Sequence, residues 1–196
     1  MNKREAKHEF FSYLKERSIQ FHEHLECGDT SIYMLLSGYD KCPDKVLECS
    51  IFFFDSCMEV RVYFNANANN WIKERVDDLS DIYRLLNYIN ARVWPFTHDG
   101  IGGKLYSPHH LQTPRFYITE DGDFDFTATT VIDYDHFEMA PLETEDYCTA
   151  AIPELMSKLS PPFFFLLMKD ISVDEAISII ERDVLNKENV NVWDIL

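Results

Sequence analysis

Between Ile19 and Phe64 the chain reads as four successive strand patterns joined by short polar turns, with no helical pattern among them. This run constrains the fold more than any other feature. In the first segment Ile19, Phe21, Glu23, Leu25 and Cys27 share one face, and His22, His24 and Glu26 share the other. Gly28-Asp29 marks a turn, and Ser31 to Ser37 follows as a strand apolar on both faces. A polar loop holding Pro43 leads to a third strand over 46–54. In the fourth, Met58, Val60, Val62 and Phe64 alternate with Glu59, Arg61 and Tyr63. The connections are too short for crossover helices, so the four strands are expected to form an antiparallel meander.

Helical periodicity brackets this run. Asn2 and Glu5 have the spacing of a capping box, and Ala6, Phe10, Tyr13 and Leu14 follow at helical intervals, ending near Ser18. Asn65 to Asn70 reads as a polar connection. A second helix is predicted over 79–93, capped by Asp78, with an inward stripe of Leu79, Ile82, Tyr83, Leu86, Ile89, Asn90 and Val93. Pro95 stops it. A glycine-containing loop over 97–114 precedes a hairpin of 115–119 and 124–132. Helix is expected over 144–159, kinked or divided at Pro153, with a break at Ser160-Pro161-Pro162. Phe163 to Met168 is compatible with either buried helix or strand. Ser172 and Glu175 open a last helix with a second capping box.

Strands in runs instead of alternation with helices predict an α+β fold: one antiparallel sheet with helices packed mainly on one face. The domain is expected to span 1–170, with 171–196 as a C-terminal helical extension. A set of 15 Phe, 10 Tyr and 3 Trp residues is enough to build a large core.

Charge narrows the partners. With 34 acidic and 18 basic residues the formal net charge is −16, which repels nucleic-acid phosphates and anionic lipids. A protein or polypeptide, basic in character, is the expected partner; nucleic acid and membrane are not. The charged start, Met1 to Glu5, is unlike a signal peptide, and the apolar run of 163–168 is far short of the roughly 20 residues that span a bilayer. Cys27, Cys42, Cys49, Cys57 and Cys148 form an odd set with no CxxC spacing, read as free thiols in a reducing compartment. These features predict a cytoplasmic location.

The stretch Leu85-Leu86-Asn87-Tyr88-Ile89-Asn90-Ala91-Arg92-Val93 resembles the LLN-x-x-NA-like helix of the YbjN-type family, also called bacterial sensory transduction regulators. The segment 124–132 followed by 144–159 continues the pattern. The resemblance implies the fold of type III secretion chaperones, small α+β proteins that usually dimerise and bind polypeptides. It implies a homodimer here, for which Trp94, Phe96 and Tyr106 are candidate contact anchors, against the alternative that they fold back on their own sheet. Within the motif, Asn87 and Asn90 have a structural reading. Asn90 falls on the apolar stripe, where its amide needs backbone partners on a neighbouring strand or loop.

Patterns that would carry catalysis are incomplete. His98, Asp99, His109 and His110 share a loop, with Asp133, Asp135 and His136 further on, but the chain has no HExxH. Asp121, Asp123 and Asp125 alternate as in a calcium loop, yet Phe126 and Ile132 stand where Gly and Glu are needed. Gly100 to Lys104 lacks phosphate-loop spacing, and Cys148 has no adjacent base. No catalytic residue, metal or cofactor is therefore assigned. The expected function is a non-catalytic protein-binding module, chaperone-like or regulatory. The alternatives are an immunity or antitoxin-like protein that occludes a basic toxin, and a metal-dependent hydrolase using the 98–110 loop.

Overall fold

A computed structural model describes residues 1–26, 29–93, 97–98, 105–106, 113–120 and 122–185. The fold is α+β. Its centre is a six-stranded antiparallel sheet of β1 (Phe21–Glu26), β2 (Asp29–Ser37), β3 (Val46–Phe53), β4 (Cys57–Phe64), β7 (Arg115–Ile118) and β8 (Phe126–Asp133), in the order β1-β2-β3-β4-β8-β7. A separate two-residue pair joins β5 (Thr97–His98) to β6 (Leu105–Tyr106). The first four strands are the meander that short turns demand, and the β7–β8 hairpin adds on through β8. Gly122 makes the positive φ of 99° that this hairpin connection needs.

Period-two burial decides which face is inside. Ile32, Met34, Leu36, Leu47, Cys49, Ile51, Phe53, Met58, Val60, Val62, Phe64, Phe126, Ala128 and Ile132 are all buried on one side. The helices are α1 (Lys3–Glu16), α2 (Ala66–Lys73), α3 (Ser80–Arg92), α4 (Tyr134–Met139), α5 (Pro141–Asp146), α6 (Ile152–Leu167) and α7 (Val173–Asp183); α3, α4 and α6 pack against the strands β7, β8 and β4, and Phe10 of α1 meets Phe53 of β3. The other face carries a polar and aromatic lattice. Ser50 Oγ and Tyr63 Oη lie 2.9 Å apart, Tyr117 Oη and Thr129 Oγ1 3.0 Å apart, and the Arg61 guanidinium sits 5.0 Å over the Phe52 ring. Leu35 and Val131 on this face are half-exposed.

Both capping boxes form. Asn2 Oδ1 accepts from the Glu5 amide at 3.1 Å and the Asn2 amide donates back to Glu5 Oε2 at 2.9 Å; Ser172 and Glu175 repeat the arrangement at α7. The structure corrects several sequence expectations. Asn65 to Asn70 is not a connection: Asn65 caps α2 by accepting from the Ala68 amide at 3.2 Å. Asp78 does not cap α3, which starts after Leu79 without a side-chain cap. On α3 the buried stripe includes Leu85, whereas Tyr83 and Asn90 are exposed.

The largest correction is at the C-terminal helices. Helix α6 runs unbroken through Pro161 and Pro162, and 163–167 is helical. A proline inside a helix costs about 3 kcal/mol or more through its missing N–H and ring clash. Here the next turn is an aromatic anchor. Phe163 stacks on Phe126 with ring centroids 4.1 Å apart and 10° between planes, and Phe164 meets Phe64 at 5.0 Å and Trp71 at 5.5 Å. Burying two phenylalanines returns about 1.5–3 kcal/mol each, which offsets much of the cost of the two prolines. Pro153 is absorbed differently. Residues 147–151 form a π-turn in which the Ile152 amide reaches back to the Tyr147 carbonyl, so the proline follows a turn already out of α register.

Helix α7 packs on α3 and α6. Arg84 pairs with Asp174 at 2.8 Å, and Tyr88 Oη donates to Glu181 at 2.9 Å. No helix among the described residues is long and apolar enough to cross a membrane.

Candidate functional site

The residues singled out in the sequence come to different ends. Trp94 and Phe96 lie outside the described residues, and of Tyr106 only the backbone pairing with Thr97 is described. Asp99, His109, His110, Gly100 to Lys104, Asp121 and Cys27 also lie outside them. Asp133 caps α4, its Oδ1 accepting from the His136 amide at 2.8 Å. Asp125 accepts a short hydrogen bond from the Asn69 amide group, and Asp123 stands 4.0 Å from Lys73. Among the described residues no group of three or more His, Cys, Asp or Glu side chains could hold a metal ion. Cys148 is buried, and burial pushes its thiol well above the ordinary range. Asn87 is exposed on α3. Asn90 spans two backbone groups of one residue: its Nδ2 donates to the Phe116 carbonyl and its Oδ1 accepts from the Phe116 amide, both at 2.8 Å. Its side chain thus acts as one more strand residue on the outer edge of β7.

The arrangement with the most unspent chemistry is one that sequence reasoning missed. Helix α1 packs across the corner where α4 turns into α5. Between them lies an open cleft of about 370 Å³, lined by Glu9, Ser12, Tyr13 and Glu16 from α1 and by residues 139–143 and Glu145 from the corner. Two causes place these groups. Ala6, Phe10, Tyr13 and Leu14 take the inward stripe of α1, which leaves Glu9, Ser12 and Glu16 on the flank beside the cleft, while the basic Lys3, Arg4, Lys7 and Lys15 lie outside its lining. Pro141 begins α5, and this sets the helical phase so that Thr144 and Glu145 point inward.

Glu145 is only 3% exposed, and its Oε1 has no hydrogen-bond partner among the described residues. Burial pushes its carboxyl up to about 8, with the negative charges of Glu9, Asp146 and Glu16 adding to the effect. Its neighbours are already engaged. Tyr13 Oη donates to Asp146 Oδ1 at 2.7 Å and lies 2.8 Å from Thr149 Oγ1, while Thr149 donates to the Glu145 backbone carbonyl at 2.8 Å. Arg17 stands 3.7 Å from Asp146. The π-turn begins at Tyr147, two residues after Glu145, and such turns recur at functional sites.

No basic side chain lines the cleft among the described residues. Its rim is apolar: Met139 is 78% exposed and Leu142 49%. The volume lies at the low end of the roughly 300–1,000 Å³ typical of ligand sites. An acidic floor beside an apolar rim suits an elongated group with a cationic tip and an aliphatic stem.

Fold and cleft together define an antiparallel α+β domain with an acidic cleft between its N-terminal helix and its helical corner. No family model, no curated protein and no solved structure matches the chain.

Proposed function

We propose that this chain is a non-catalytic, cytoplasmic protein-binding module, chaperone-like or regulatory, whose partner is a basic polypeptide. The observation that carries the reading is the cleft beside α1, where the buried Glu145 carboxyl, its Oε1 without a hydrogen-bond partner among the described residues, lines the same cleft as exposed Met139 and Leu142. A group that loses water on burial and finds no partner is destabilising unless a ligand supplies one. The formal charge of −16 supports a basic partner, because it steers cationic surfaces towards the molecule. The likeness of 85–93 to the YbjN-type helix, and the sheet with helices on one side, support the secretion-chaperone-like reading.

The test is a peptide array probed with the purified protein at low and moderate salt. Peptides that combine basic and apolar residues are expected to be retained, more weakly as salt rises. An array on which no peptide is retained above background would sink the reading. Elemental analysis addresses the hydrolase alternative: a stoichiometric, tightly held transition metal would replace the binding reading with metal-dependent chemistry.

A further inference from the structure

Resting on the polypeptide-binding reading, we infer that the cleft between α1 and the α4–α5 corner is a receptor for a single lysine side chain of the partner, with Glu145 as its counter-ion. A buried carboxyl on the floor whose charge no partner among the described residues compensates, acidic side chains around it and an apolar rim are the three elements that a lysine side chain needs. Glu145 supplies the floor. Glu9 and Glu16 from α1 and Glu143 from α5 line the walls. Met139 and Leu142 offer apolar surface for the four methylenes of the stem. Asp146 is already engaged by the Tyr13 hydroxyl and the Arg17 guanidinium and does not line the cleft.

Lysine fits better than arginine for a geometric reason. A guanidinium is a planar fork that seeks two oxygens of one carboxylate, whereas an ammonium is a compact charge with three donors that can point at separate oxygens. The Glu145 side chain lines the cleft as one group, its Oε1 turned away from solvent, and the other carboxylates come from different turns and different helices, so no fork of two oxygens faces the cleft.

Proton linkage follows. Facing the Glu145 carboxyl are Glu9, Glu16 and Tyr13 from α1, and Glu143, Asp146 and Cys148 from its own helical run, with Arg17 beyond Asp146. In the empty cleft burial and these negative neighbours hold the proton on Glu145 up to about pH 8. An arriving ammonium reverses the balance, so the carboxyl ionises, its proton leaves to solvent and the ion pair forms. Affinity for lysine is therefore expected to rise with pH from about 6 to above 8.

The test uses the full chain and two capped seven-residue peptides of alanine and leucine, one with a central lysine and one with norleucine, plus free n-pentylamine. Calorimetry at pH 8 is expected to give about tenfold tighter binding for the lysine peptide than for its norleucine twin. It should release protons at pH 7, and Glu145→Gln should abolish the preference while circular dichroism stays unchanged. The wild-type protein gives an independent readout: the Glu145 carboxyl ¹³C resonance should move to its ionised position when the lysine peptide is added. Equal binding of both peptides, or an unmoved Glu145 resonance, overturns the lysine receptor and leaves the polypeptide reading standing. Amine binding as tight as that of the lysine peptide overturns the polypeptide source in favour of a free amine. Absence of binding by either peptide removes both readings.

Discussion

Glu145 is the residue on which most depends, and its linkage has a definite sign. Its carboxyl is raised from an ordinary 4.5 to about 8 in the folded chain, chiefly by burial. Between those values the folded state holds a proton that the unfolded state has lost. The contribution to stability is fully present below about 4.5 and is lost as pH rises through about 8. Glu145→Gln keeps the shape and removes the ionisation. The variant is therefore expected to match wild type near pH 4.5 and to exceed it by about 1–3 kcal/mol at pH 9. Urea melts of both proteins across that range check this, and parallel curves would show that Glu145 ionises freely in the fold. The thiols are a second residue-scale case. Cys42, Cys49, Cys57 and Cys148 are free. Burial pushes Cys49 up to about 12, and Cys148 also rises, whereas Cys57 is only partly buried. Iodoacetamide should label Cys57 in the native protein, and Cys49 and Cys148 only after denaturation. Native labelling of Cys49 at the rate of Cys57 would contradict the sheet register.

At the scale of elements, two devices hold the architecture where sequence rules run against it. Strand β7 is the sheet edge, and edges invite pairing with other chains. Asn90 occupies both backbone groups of Phe116 and so blocks part of that edge from helix α3. Asn90→Ala is expected to cost about 1–3 kcal/mol, because the Phe116 amide and carbonyl lose their partner. Hydrogen exchange should quicken at Phe116, and unchanged protection there would argue against the contact. The second device is the aromatic anchor that carries α6 through Pro161 and Pro162. Phe163 is fully buried between Phe126 and Phe64, so Phe163→Ala should cost about 3–5 kcal/mol. Its loss should also fray the helix after the prolines, seen as reduced helical ellipticity before the main unfolding transition.

For the whole molecule, charge and surface act against each other. Two copies of a chain with a formal charge of −16 repel, and only a well-packed apolar patch offsets this. Salt shortens the screening length to about 10 Å at 0.1 M, so an apolar dimer should strengthen as salt rises. Light scattering at low and moderate salt is expected to show a dimer fraction that grows with ionic strength. A monomer mass under both conditions would rule out the homodimer that the resemblance of 85–93 implies.

What the chain determined by itself is its local structure and fold class. Period-two alternation at Met58 to Phe64 became the buried-out pattern of β4, and Asn2-to-Glu5 and Ser172-to-Glu175 became capping boxes, because these signals act within a few residues and need no distant partner. Short turns made the first four strands neighbours. Tertiary structure decided what local rules leave open or answer wrongly. Pro161 and Pro162 read as a helix break until Phe126 and Phe64, from two strands distant in sequence, supply the surface that Phe163 buries. Asn90 reads as part of an apolar stripe, and its amide partner lies 26 residues away on a strand edge. Glu145 lies in the predicted helix over 144–159, and no motif there marks it as a site. A hint was present, since Glu145 and Thr149 stand one helical turn apart beside the Thr144, Cys148 and Ile152 stripe. Only the packing of α1 across the α5 corner removes water from that carboxyl, and desolvation is set by atoms brought from the far end of the chain.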